Sequence, residues 1–109
     1  MAILQTANIN VNSTGDNLVV AAVTGMQIRV HKLVLINTVA TAMTVTIKDA
    51  AGGNSLATIP LPSSIGGAVN LGRGNVSDSP LFRTATSGAF NVSLSTNTAV
   101  TGFVQYEVA

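Results

Sequence analysis

One histidine and four acids are the side chains from which this chain could build a triad, a carboxylate pair or a metal site: His31, Asp16, Asp49, Asp78 and Glu107. There is no cysteine, so composition rules out a thiolate nucleophile, a disulfide framework and a Cys- or His-rich metal site. A nucleophile–histidine–acid triad could use only His31, which sits between Val30 and Lys32, and no nucleophile-elbow motif occurs. The three aspartates stand far apart and do not follow the spaced acid ladder of a calcium loop. Glycoside cleavage needs two carboxyl groups a few ångströms apart, and no local spacing provides them. Gly72-Arg73-Gly74 comes nearest to an anion-binding nest, but lacks the following helix and the lysine of a phosphate loop, and reads as an exposed loop. Phe82-Arg83 comes nearest to the aromatic–basic pairing of a nucleic-acid surface, and core packing accounts equally well for Phe82. The expectation is therefore a protein that is not an enzyme, with no cofactor, no metal and no small-molecule substrate, and with His31 as a surface or interface histidine.

Composition points the same way. The chain has 109 residues, the size of one domain, and nearly half of them are hydrophobic. Only 8% are charged, against about 25% in ordinary soluble domains. The bases are Arg29, Lys32, Lys48, Arg73 and Arg83, and the net charge of +1 gives no reason to expect nucleic acid or an anionic membrane as partner. The polar surface must come from Ser, Thr and Asn. Either that neutral surface suffices for solubility, or neighbours in an assembly cover much of it. Met1 to Thr6 lacks the basic start and long apolar run of a signal peptide, and the longest apolar stretch, Leu18 to Val23, is too short to span a bilayer.

The elements that would position any site are strands. β-Branched residues abound, and the dominant period is two. Ala7, Ile9 and Val11 share a face, and Ser13 to Asn17 reads as a turn. Leu18 to Val23, apolar on both faces, reads as a buried strand. Met26 to Asn37 is the longest candidate. Its even positions Met26, Ile28, Val30, Val34 and Ile36 form an apolar face interrupted by Lys32. Its odd positions begin polar at Gln27, Arg29 and His31 and turn apolar at Leu33 and Leu35. Met43 to Lys48 alternates cleanly, with Thr44 and Thr46 outward. Leu56 to Leu61 is limited by Pro60 and Pro62, so it should lie at an edge or end early. Ala68 to Leu71 is brief, and Gly72 to Pro80 is irregular. Leu81 to Thr84, Phe90 to Ser95 and Val100 to Val108 complete the set, with Phe103, Gln105 and Glu107 on the face opposite Val104 and Tyr106. Residues 1–109 thus form one all-β domain, an antiparallel, jelly-roll-like β-sandwich of about eight short strands, with residues 1–6 as an N-terminal arm. Three Asn-x-Ser/Thr sequons, at Asn12, Asn75 and Asn91, are ascribed to the Asn/Ser/Thr-rich composition.

Two stretches carry a resemblance. One runs from Pro80-Leu81-Phe82-Arg83-Thr84-Ala85 through Ser87-Gly88-Ala89-Phe90-Asn91-Val92-Ser93-Leu94-Ser95 to Thr101-Gly102-Phe103-Val104-Gln105-Tyr106. The other is Leu18 to Val23, followed by Gly25 and the strand Ile28 to Leu33. Together they resemble small tailed-bacteriophage virion proteins of the capsid decoration, or cement, type. The resemblance implies a role on the virion capsid surface of a protein made in the bacterial host cytoplasm. The implied partners are the major capsid protein and copies of itself, a trimer favoured over a dimer. It carries over no functional residue, because the shared positions are strand and turn positions. From the pattern itself, the candidate contact residues are Ile3, Leu4, Leu33, Leu35 and Phe103, with core packing as the alternative for each. A tail, head-fibre or adaptor subunit is the second reading. A glycan-binding sandwich is the third, resting on Tyr106 beside Glu107, which as strand neighbours point to opposite faces.

Overall fold

The computed structural model describes residues 3–50, 53–61, 68–72, 80–96 and 99–109. Among them the only regular elements are nine strands: β1 (Gln5–Val11), β2 (Gly15–Val20), β3 (Ile28–Asn37), β4 (Met43–Lys48), β5 (Ser55–Leu61), β6 (Ala68–Gly72), β7 (Phe82–Arg83), β8 (Phe90–Leu94) and β9 (Val100–Val108). All pairings are antiparallel. Sheet I runs β1-β9-β3-β6, with β7 also on β3, and sheet II runs β2-β8-β4-β5. Setting aside the two-residue β7, the chain alternates between the sheets except at the β4–β5 hairpin. That is the double Greek-key order of a jelly roll. The expected β-sandwich is therefore present, with its strand order now defined.

The core lies between the sheets. Sheet I contributes Ile9, Ile28, Val30, Leu33, Leu35 and Val104, and sheet II contributes Met43, Val45, Ile47, Leu61, Phe90, Val92 and Leu94, all buried. Three polar side chains tie the connections to this core. Asn37 Nδ2 donates to Thr41 O and its Oδ1 accepts from Val39 N, shaping the β3–β4 turn. Thr84 Oγ1 accepts from Ile28 N and lies 3.2 Å from Gly88 O, to which it can donate, which pins the β7–β8 turn to β3. Asp49 Oδ1 accepts from Asn54 N, so this buried acid closes its own loop.

Five expectations are corrected. Gln5 and Thr6, expected in the N-terminal arm, pair with Tyr106 and Gln105 and begin β1. Leu33 and Leu35 are fully buried in the chain's own core and present nothing to a partner. The reason is a bulge in β3: Val30 pairs with Tyr106 and Lys32 with Gln105, leaving His31 extra. One inserted residue exchanges the faces of everything that follows. Leu33 and Leu35 therefore point inward, and Val34 and Ile36, expected inward, point out. His31 is buried rather than on the surface. The supposed turn residues Gly15 to Asn17 pair with Leu94, Ser93 and Val92 and belong to β2. Leu18 to Val23 is no buried strand: β2 ends at Val20, Leu18 is 61% exposed, and Ala21, Ala22 and Val23 are exposed. The expected turn at 63–67, the loop 73–79 with Arg73, Gly74, Asn75 and Asp78, Asn97 and residues 1–2 of the arm lie outside the described residues.

Candidate functional site

The re-phased half of β3 builds the outer face of sheet I. Directly paired residues in a sheet share a face, so the register defines its rows. One row is Asn8–Phe103–Val34–Asn70, the next is Asn10–Thr101–Ile36–Ala68, and the third is Thr6–Gln105–Lys32–Gly72. Phe103 and Val34 are half-buried and Ile36 is 40% exposed, while Asn8, Asn10, Thr6 and Asn70 are exposed. The face thus has an apolar centre of Phe103, Val34 and Ile36. A rim of amides and hydroxyls surrounds it, and Lys32 is the one charged side chain in these rows. Lys32 Nζ lies 6.0 Å from the Phe103 ring centroid, at the outer limit of a cation–π contact.

Gly102 allows this packing of β9 on β3. Its φ is 145°, and a Cβ there would overlap the carbonyl oxygen of Val34. A side chain would push Phe103 and Val34 apart.

Past the bulge the same face is closed over. Arg29 pairs with Glu107 on one side and Arg83 on the other. His31 Nε2 lies 3.0 Å from Glu107 Oε1, the two side chains being 1% and 6% exposed. Arg29 Nε and His31 Nδ1 find no hydrogen-bond partner among the described residues. Such a pair could hold a proton, but it has no open approach. It fixes the bulge in place: the extra residue is the one that reaches Glu107.

Sheet II presents a different outer face. Thr44, Thr46 and Ser93 alternate with core residues, and Lys48 Nζ meets Asp16 Oδ1 at 3.0 Å. At one end of this sheet a depression of about 390 Å³ is lined by Ala42, Met43, Thr44, Pro60, Leu61 and Ser95. No acid or base lines it, so it offers no proton transfer. Among the described residues no three His, Cys, Asp or Glu side chains cluster as metal ligands do.

Of the candidate contact residues, only Phe103 lies in the centre of the sheet I face. Ile3, 67% exposed, and half-buried Leu4 lead into β1 at the edge of the same sheet. Leu33 and Leu35 are core. Val34 and Ile36 belong to the face and were missed. Their signal was present in the sequence: the apolar phase of the strand changes between His31 and Leu33, as an inserted residue requires. Tyr106 and Glu107 do not form a glycan platform, since Glu107 is buried against His31 and Tyr106 Oη donates to Gln5 Oε1 at 3.4 Å.

No family profile and no curated protein matches this chain.

Proposed function

We propose that this chain is a structural virion protein, a capsid decoration protein that attaches to the outer shell through the outer face of sheet I. The observation that carries the reading is the composition of that face: Phe103, Val34 and Ile36 inside a rim of Asn8, Asn10, Asn70, Thr101 and Gln105. Apolar at the centre, polar at the rim and poor in charge is the anatomy of a protein–protein contact. Low charge serves such a surface, because each buried charge must be paired or it costs several kcal/mol, roughly 3–5 when its partner is missing. The resemblance to small phage virion proteins supports the setting, and the jelly roll suits it without deciding it, since one fold hosts many roles. The action is mechanical: many copies, each held weakly, bridge neighbouring shell subunits, and multivalency makes the weak contact effective.

The test is the copy number of this chain in purified particles of its source, relative to the major shell protein. Near-equal abundance is expected. A trace amount would instead assign the chain to a tail, fibre or adaptor, and absence from the particle would overturn the virion reading.

A further inference from the structure

The edges of the two sheets are not alike. An edge strand exposes a row of unpaired N–H and C=O groups, and proteins that stay monomeric blunt it with charge, proline, bulges or shortness. The β5 edge carries Pro60, and a register shift interrupts its pairing at Lys48. The β2 edge carries Asp16 and a shift between Leu18 and Val20. The β6 edge is five residues long and ends at Gly72, whose φ is 83°. β1 has none of these devices. It is seven residues long, pairs only with β9 among the described strands, and keeps one register throughout. Its sequence, Gln-Thr-Ala-Asn-Ile-Asn-Val, has neither charge nor proline.

We infer that β1 pairs antiparallel with β1 of a second copy, joining two sheets I into one across a two-fold axis at Asn8. The inference goes beyond the proposed function, which concerns attachment to the shell, and names a contact between copies of the chain. The choice of a second copy follows from the chemistry of the strand. Around a two-fold axis each residue type meets itself or its mirror position, so a charged strand would oppose like charges. Amides and hydroxyls both donate and accept, and tolerate meeting their own kind.

Centring the axis on Asn8 overlaps all seven residues. Asn8 then faces Asn8 of the second copy, Thr6 faces Asn10, Ala7 faces Ile9, and Gln5 faces Val11. The exposed Ile3 and half-buried Leu4 extend over Ser13 and Asn12 of the other copy. The row Asn70–Val34–Phe103–Asn8 continues into its symmetry mate, so both apolar centres lie on one side of a single sheet. A closed ring of three would instead need β1 to meet a different edge of its neighbour. Of the other described edges, β5 and β2 are blocked and β6 is short.

The experiment is sedimentation equilibrium of the free protein, without particles, so its outcome is separate from that of the virion test. The wild-type chain is expected to show a concentration-dependent monomer–dimer equilibrium. Asn8→Lys and Asn8→Asp each place like charges directly opposite on the axis and should each weaken the dimer about tenfold or more. An equimolar mixture of the two variants should restore it. Asn8 is exposed on an edge strand, where lysine is well tolerated, so both variants should keep the wild-type circular dichroism. Thr58→Lys, on the β5 edge, should leave the dimer unchanged. A wild-type chain that is monomeric at every concentration, a trimer, or a dimer indifferent to both Asn8 variants would overturn the inference.

Discussion

The outer faces of the two sheets are built from the same alternating pattern and end with opposite characters. On sheet II, β4 keeps strict alternation, Met43, Val45 and Ile47 inward and Thr44, Thr46 and Lys48 outward. The result is a hydroxyl-rich face with one ion pair, an ordinary solvated surface. On sheet I, the extra residue at His31 exchanges the faces of β3, so the leucines fill the core and Val34 and Ile36 join Phe103 outside. One inserted residue thus separates a solvent face from a contact face. It is held by a buried polar pair, His31 and Glu107, that lies outside the apolar core.

The largest effects should come from changing that phase. Deleting Lys32 removes the bulge: His31 takes the slot opposite Gln105, and Leu33 and Leu35 keep their inward positions. Deleting Val34 cannot be absorbed. With the bulge kept, Leu35 turns outward. With it expelled, Leu33 turns outward and Lys32 inward. The Lys32 deletion should unfold cooperatively in urea, and the Val34 deletion should not yield a folded protein. Equal tolerance of both would mean that the bulge does not set the phase.

Charge substitutions on the two sides of the sheet sharpen the same contrast. Leu33→Asp buries an unpaired carboxylate where even Leu→Ala would cost about 2–5 kcal/mol, and the protein should be insoluble or unfolded. Phe103→Asp should leave the fold intact, since Phe103 is only half-buried, and abolish attachment to the shell in a co-sedimentation assay with particles stripped of this chain. A folded Leu33→Asp protein would remove Leu33 from the core.

What could be read from the sequence follows from where contacts are local. β4 and β9 were located from end to end because alternation within one strand suffices. In β3 the strand was evident but its faces were assigned wrongly after His31, because a bulge is imposed by the partner strand. The change of apolar phase at Leu33 is visible in the sequence, but without the partner strand it does not distinguish a bulge from burial on both faces. Leu18 to Val23 misled because hydrophobicity alone does not distinguish a buried strand from an exposed edge and loop. The pairing of His31 with Glu107, 76 positions apart, has no local signature. Phe103 was legible as a contact candidate because it breaks the polar side of β9, whereas its neighbours Val34 and Ile36 required the register.

Glu107→Ala comes next in size. It leaves the buried His31 Nε2 without its hydrogen-bond partner, which costs about 1–3 kcal/mol. Glu107→Gln should cost less, because the amide oxygen can still accept from Nε2. Urea midpoints at unchanged m-value would measure both. A loss below about 1 kcal/mol for the alanine variant would mean that the pair does not hold the bulge.

The smallest effect belongs to the solvated face. Lys48 and Asp16 make a bridge of the same length, 3.0 Å, as His31 and Glu107, but their side chains are 23% and 22% exposed. Water screens the charges and hydrates either one left alone, so Lys48→Ala should cost only about 0.2–1 kcal/mol, and less at high salt. The two bridges therefore test burial at constant geometry. If Lys48→Ala proved as costly as Glu107→Ala, distance alone would govern the energy, and the outer face of sheet II could no longer be treated as an ordinary solvent surface.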